Sequence, residues 1–398
     1  LKVWITQDAE PLPLLDSGAR LMRSAMLAAE LADHGHEVIW FAGRFDHSKK
    51  THRNYPSEQY HVRENYEVKL LNGRGYTRNI SLNRVLHHRD VARHFREVSS
   101  KLGRPDLIFS SYPSPELCRA AYDYSAFHQV KFVIDVRDPW PETFLDYFPY
   151  GTRYLVNPLV GYYRRLMTPV FKNADMRIAV SAGMLKFAQN LGLPADHSMD
   201  RVFMLGYLRP NVVIAGSDIE RKEQINCIFI GSSGSSYDID LLDQVADILI
   251  DDREVSFTLV GDYSFAAKSN LRVTGWLSES EIQRELSIAD IGLCFLKGGA
   301  LTSGVCIPNK VFEYLSQGLA VFYNGRGELS DLLEKNGIGV GNLNEPNVVA
   351  RTIRDMRASP DKLREMRKRS FDYFDREVSA REIYPQIRHQ LEILGTMK

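Results

Sequence analysis

Strand-length apolar runs alternate with stretches of helical spacing in this chain, and after about residue 222 the alternation begins again. Residues 2–6, 38–41, 107–110, 132–135 and 176–180 read as short buried strands, as do 225–230, 256–260, 291–295 and 320–323. Strands separated by helices pair in parallel through right-handed crossovers. A length of 398 residues suits two such units. The expected architecture is α/β, with two Rossmann-like domains facing each other across a cleft. The first spans 1–205 and the second 206–379, with a polar, proline-bearing linker near 206–223. An amphipathic helix over 380–396, with Ile383, Ile387, Leu391 and Leu394 on one face, is expected to pack back on the first domain. In the first domain a helix should run from Gly18 to about His34, stopped by Gly35. Residues 43–100, rich in charge and histidine, resist assignment.

The chain carries 50 basic and 50 acidic side chains, for a formal charge of +0. That excludes nucleic-acid binding through a global positive field. Its four cysteines form no CxxC pair, and Cys227 and Cys294 lie in strand-like runs, so they read as buried reduced thiols. Residues 1–6 already read as a strand rather than a secretion signal, and no run of 18 apolar residues occurs. The expected location is the cytoplasm.

The stretch 307–321, IPNKVFEYLSQGLAV, carries the sharpest chemical signal. Pro308 suits the first turn of a helix, where its missing N–H costs nothing. Val311, Phe312 and Leu315 recur at helical spacing, and Gly318 suits a left-handed cap. Lys310 then stands in the first turn, beside Asn309 and the free backbone N–H groups. A helix start with a lysine suits a diphosphate, and Glu313 nearby suits sugar or ribose hydroxyls. Lys310 and Glu313 could equally form an ordinary surface ion pair.

Other loops at strand ends are further candidates. Gly18, in Ser17-Gly18-Ala19-Arg20, would let backbone approach a phosphate. Gly231, Ser232 and Ser233 open a glycine–serine loop that could cradle phosphate without the lysine of a Walker loop. Gly261 and Asp262 close the next strand. The rigid polar run 135–142 holds Arg137 and Asp138, placed to orient an acceptor hydroxyl or meet a charged substrate group. Residues 144–172 mix tyrosine and phenylalanine with Arg153, Arg164, Arg165 and Lys172, a composition suited to an anionic bilayer surface and also to plain helix packing. No metal cluster is visible.

In order along the chain these segments resemble the GT-B glycosyltransferases of family 4. Residues 18–40 are similar to the family's glycine loop, its first helix and its Gly-His-x-Val strand start. Ala174-Asp175-Met176 through Ser181 resembles the step before the linker. Val260-Gly261-Asp262, Thr274-Gly275-Trp276-Leu277 and Ala289-Asp290 resemble successive markers of the second domain, and 308–318 resembles the donor-binding helix. The run Arg137-Asp138-Pro139-Trp140-Pro141 is similar to that of transferases building bacterial surface polysaccharides, such as lipopolysaccharide or capsule, including N-acetylfucosamine transferases.

The resemblance implies an N-terminal acceptor domain and a C-terminal donor domain. With it, the expected reaction is retaining transfer of a hexose-type sugar from a nucleoside-diphosphate sugar to a saccharide acceptor; the aromatic-basic segment 144–172 suggests that the acceptor is lipid-linked at the inner membrane face, and no cofactor or metal is expected if cations and helix dipoles carry the charge. Glu313 matches the second of the family's two glutamates, which holds the ribose. Val305 stands where the first would be, so sugar contacts would come from backbone N–H groups between Val305 and Asn309. The family's arginine–lysine pair is absent from the Gly231 loop, leaving Lys310 to meet the leaving phosphate, with Lys297 or Arg137 as helpers. The catalytic candidates are thus Lys310, Asp138 and Arg137. A nucleotide-sugar epimerase and a non-catalytic partner protein of the same fold are the rival readings.

Overall fold

The computed structural model describes residues 1–16, 19–148, 150–192, 198–209, 224–231, 237–297 and 304–397. It divides into two compact units, Leu1–Met204 with Tyr384–Lys398, and Leu205–Ile383. The candidate residues Gly18, Ser232 and Ser233 lie outside the described residues.

In the first unit the strands are β1 (Lys2–Thr6), β2 (Glu37–Gly43), β3 (Phe45–Asp46), β4 (Thr51–His52), β5 (Gln59–Arg63), β6 (Tyr66–Leu71), β7 (Leu107–Tyr112), β8 (Lys131–Val136), β9 (Met176–Ala179) and β10 (Arg201–Val202). Its helices are α1 (Arg23–Asp33), α2 (Leu82–Ser99), α3 (Pro115–His128), α4 (Asn157–Asn173) and α5 (Ala182–Leu191). Eight strands form one sheet in the order β10-β9-β8-β7-β1-β2-β6-β5. All neighbours are parallel except β5, which runs antiparallel to β6 and is bulged between His61 and Arg63. The central strand β7 is buried along its whole length, as expected where helices cover both faces of a parallel sheet.

Helix α1 begins at Arg23, five residues later than the Gly18 start read from the sequence. The reason is tertiary. Glu10 accepts the Ser24 N–H at 2.9 Å, so a distant carboxylate occupies the helix start. Arg23 is drawn to Asp135 on β8 at 3.0 Å. Gly35 ends the turn with φ +79°. The unassigned stretch 43–100 contains the two-residue hairpin β3–β4, then β5, β6 and α2. Strands of two residues carry no readable period.

The second unit holds β11 (Ile225–Ile230), α6 (Ile239–Ile248), β12 (Val255–Val260), β13 (Leu271–Val273), α7 (Glu279–Ile288), β14 (Ile291–Cys294), α8 (Asn309–Ser316), β15 (Ala320–Tyr323), α9 (Glu328–Asn336), β16 (Gly339–Val340), α10 (Pro346–Arg357) and α11 (Pro360–Tyr373). Its six-stranded parallel sheet has the order β13-β12-β11-β14-β15-β16. Cys227, Phe229, Leu242, Val245, Phe257, Leu293, Phe322 and Ile353 belong to one buried cluster. Helix α12 (Ala380–Thr396) follows. From Tyr384 onward it belongs to the first unit, where Ile387, Leu391 and Leu394 are buried. Arg388 on this helix donates to Glu30 of α1 at 3.0 Å, and His36 meets Glu392 at 3.0 Å. Among the described residues no helix is long and apolar enough to cross a membrane.

Candidate functional site

Helix α8 starts one residue later than the sequence suggests. Pro308 is the N-cap, with extended φ −60° and ψ 139°, and Asn309 opens the helix. The end is a Schellman closure: Leu319 N–H donates to Tyr314 O at 3.0 Å and Gly318 N–H to Leu315 O at 3.0 Å. Gly318 takes φ +63°, which a side chain would strain. The helix is anchored inward by Tyr314, whose hydroxyl donates to Leu293 O at 3.0 Å and accepts from Ile230 N–H at 3.2 Å. A side chain at Gly292 would meet the Tyr314 ring at 2.3 Å, so β14 needs glycine there.

This anchoring brings Lys310 inward. Its residue is only 5% exposed, and among the described residues its Nζ has no hydrogen-bond partner. The Nζ lies 3.5 Å from the ring centroid of Phe229 and 3.4 Å from that of Tyr237. The two rings offer quadrupole attraction but no lone pair. Burial pushes the Lys310 ammonium down to about 7, against weak support from Cys294 and Glu313. The Nζ also approaches Gly231, where an added Cβ would come within 2.9 Å of it. An unpaired buried cation of this kind is costly unless an anion joins it.

Gly231 itself is fixed by its neighbours. It donates to Val260 O at 3.1 Å, and its carbonyl accepts from the Tyr263 hydroxyl at 2.7 Å. Gly261 has φ +144°, and a Cβ there would sit 2.1 Å from Gly231 O. Close backbone packing at the carboxyl ends of β11 and β12 thus requires glycine at 261, while a side chain at 231 would displace the Lys310 Nζ. Asp262 and Asn309 are exposed, while Pro308, Glu313 and Val305 are half-buried. Lys297 is exposed. The structure therefore gathers Lys310 and Gly231, with Gly261 behind them. Phe229 and Tyr237 complete the cradle, and sequence reasoning did not find them. Phe229 reads as one more core strand residue; its only signal is its place two residues before Gly231.

The first unit holds a second polar centre at the ends of β1 and β8. Asp135 is 0% exposed and takes hydrogen bonds from Arg23 Nε at 3.0 Å and Arg137 Nε at 2.7 Å. Arg137 also donates to Glu10, to Ser24 Oγ at 3.0 Å and to Ser111 Oγ at 2.6 Å. Two carboxylates and two guanidinium groups balance one another there. Burial alone would raise the Asp135 carboxyl, but Arg23 and Arg137 outweigh it and hold it low. These four bonds hold Arg137 in the network. Asp138, on the next turn of chain, is half-buried, and burial pushes its carboxyl up to about 6 against the pull of Arg84. Among the described residues no group of three or more His, Cys, Asp or Glu is arranged to hold a metal.

In the aromatic segment, Tyr154, Leu155 and Tyr162 are exposed, whereas Tyr163 is buried and donates to Glu116 at 3.0 Å. Arg164 pairs with Glu142 at 2.6 Å, and Arg165 and Lys172 are exposed.

Comparison with known proteins finds two partial family matches and a shared fold. Residues 24–199 match the model for Glycosyltransferase Family 4, and residues 240–388 match that for Glycosyl transferase-like domains. No curated protein sequence matches significantly. Among solved structures, sucrose-phosphate synthase from Thermosynechococcus elongatus aligns with TM-score 0.71 at 12% identity, covering 99% of this chain and 98% of that one. WaaG, a glycosyltransferase involved in lipopolysaccharide biosynthesis, aligns with TM-score 0.67 at 11% identity, covering 99% and 100%. Anabaena Alr3699/HepE in complex with UDP-glucose aligns with TM-score 0.62 at 14% identity, covering 98% and 99%. At these identities the likeness is one of fold: two Rossmann-like domains with parallel sheets, as in the GT-B glycosyltransferases.

Proposed function

We propose that the chain, whose two halves match glycosyltransferase family models, transfers a hexose-type sugar from a nucleoside-diphosphate sugar to a saccharide acceptor with retention at the anomeric carbon. The observation that carries the donor side is the Lys310 Nζ, buried beside Gly231 with no hydrogen-bond partner among the described residues. In the reaction the bond from the anomeric carbon to the β-phosphate oxygen breaks, and negative charge grows on the diphosphate. Lys310 neutralises it, together with the first N–H groups of α8. The acceptor oxygen bonds to the anomeric carbon on the face the phosphate leaves, and its proton passes to the departing phosphate. Glu313 holds the ribose, and Gly231 and Gly261 let the backbone come close. In the first unit Asp138 orients the acceptor hydroxyl by hydrogen bonding. Arg137 acts as a positioning residue, fixing the start of the loop that carries Asp138. No metal or further cofactor is invoked.

A thermal-shift panel of nucleoside diphosphates and their sugars tests the donor. A ligand at 100 times its Kd stabilises the folded state by about 2.7 kcal/mol. One nucleotide series should raise the melting temperature and the others should not. NMR of the product should then show the donor's own anomeric configuration. An inverted product would refute retention, and an epimerised sugar nucleotide formed without acceptor would favour the epimerase reading.

We place the acceptor on a lipid carrier at the inner membrane face, in surface-polysaccharide synthesis. Support comes from the exposed Tyr154, Leu155 and Tyr162 beside Arg165 and Lys172. Cosedimentation should show binding to phosphatidylglycerol vesicles, weakened by salt and by Arg165→Glu with Lys172→Glu. Equal binding to neutral phosphatidylcholine vesicles would contradict it.

A further inference from the structure

The stretch 43–100 holds a second cluster of cations that the donor reading does not use. The Tyr76 ring, 6% exposed, is its centre. Lys50 Nζ lies 4.8 Å from the ring centroid and Arg84 Cζ 5.6 Å. The rings of His47, His87 and His88 lie 5.9, 5.3 and 6.3 Å from it. His47 Nδ1 is 2.5 Å from the Tyr76 hydroxyl and 3.3 Å from Lys50 Nζ. An ammonium can only donate, so its hydrogen bond to His47 Nδ1 needs that nitrogen's lone pair. The proton of a neutral His47 therefore sits on Nε2.

Among the described residues no carboxylate hydrogen-bonds to either cation. Lys50 donates to Asn79 Oδ1 at 2.6 Å, and Arg84 donates to Asn79 O at 3.0 Å and to His88 Nε2 at 3.3 Å. The carboxylates nearby are engaged or apart. Asp8 is held by Ser114 and by His88 at 3.4 Å. Asp46 takes the backbone N–H groups of Ser48 at 2.8 Å and Lys49 at 3.0 Å. Asp138 feels the charge of Arg84 without pairing to it. Burial and then Arg84 lower the Lys50 ammonium, and the charge of Asp46 only partly offsets them. Both side chains remain partly exposed, so the site is open to a ligand.

We infer that Lys50 and Arg84 clamp an anionic group of the acceptor, a phosphate or a carboxylate, with the Tyr76 ring as their floor. The inference rests on the glycosyl-transfer reading and adds the charge class of the acceptor. A guanidinium fork and a flexible ammonium together match a phosphate or carboxylate oxygen set.

Calorimetry on the full chain tests this, with glucose 1-phosphate, glucuronate and neutral glucose as probes, each titrated with and without saturating UDP. The wild type should bind at least one charged probe far more tightly than glucose. Preference between the two charged probes tells phosphate from carboxylate. Lys50→Gln with Arg84→Gln should weaken the charged probe by about tenfold or more, the scale of a lost charge-assisted contact. The same variant should keep the wild-type melting temperature and UDP affinity, and Lys50→Arg should keep most of the binding. Unchanged affinity in the double variant, or no charged probe bound by a wild type that binds UDP, overturns the inference and leaves the donor reading standing. Charged-probe binding lost in the double variant, with no nucleotide bound by the wild type, sinks the donor reading instead.

Discussion

Replacing Lys310 by methionine is expected to lower kcat by about 10²–10³-fold, the scale of losing one preorganised charge at a leaving group. The same change should raise the melting temperature. The ammonium sits between Phe229 and Tyr237 with no hydrogen-bond partner among the described residues, and an apolar chain of similar length gives up only the ring attraction while removing the cost of burying the charge. The pH dependence follows from the same burial. The folded chain holds Lys310 at about 7, and the unfolded value is 10.5. Between those values the unfolded chain binds the extra proton, so this group makes stability rise with pH across that window. In Lys310→Met that part of the slope should vanish. A variant that keeps kcat within about threefold of wild type, a change worth under 1 kcal/mol of barrier, would remove Lys310 from the chemistry. Melting curves over pH 6–10 with unchanged slope would remove it from the titration.

Asp135→Ala should be the most damaging single change to the first unit. The carboxylate is buried against Arg23 and Arg137, and its loss leaves two guanidinium groups in the interior with only Glu10 to balance them. Breaking a buried charge pair costs about 3–5 kcal/mol. For a unit of this size that is a fall in melting temperature of roughly 6–20 °C. Asp135→Asn keeps some hydrogen bonds and should fall between. The network also sets an acid limit. The Asp135 carboxyl is held below its ordinary value, so its contribution is present above about pH 4 and is lost as pH falls through the depressed value. A melting temperature within about 2 °C of wild type for Asp135→Ala, under 1 kcal/mol for a unit of this size, would mean the network carries little stability.

The sheet and helix alternation was legible because buried parallel strands are short, apolar and bounded by turns. The runs at 107–110, 225–230 and 320–323 fall within β7, β11 and β15. The site was legible only in part. Lys310, Gly231 and Gly318 announced themselves through local rules for helix ends and strand ends. The aromatic pair did not, because Phe229 and Tyr237 meet Lys310 only after α8 docks on β14 through Tyr314 and Gly292. Arg137 read as a site residue because its partner Glu10 lies 127 positions away and leaves no local trace. The late start of α1 has the same cause, since Glu10 and Asp135 act from outside the helix. The cluster around Tyr76 hid in the stretch where two-residue strands erase any period.

The account stands or falls on whether the buried ammonium of Lys310 receives the diphosphate. Calorimetry at pH 8, in buffers of differing ionisation enthalpy, measures this directly, using the nucleoside diphosphate that stabilises the protein most. Lys310 is largely neutral at that pH when free and becomes charged beside the diphosphate, so binding should take up a large fraction of one proton. Lys310→Met should bind more weakly and take up none. Binding without proton uptake in the wild type, or equal uptake in the variant, would contradict the account.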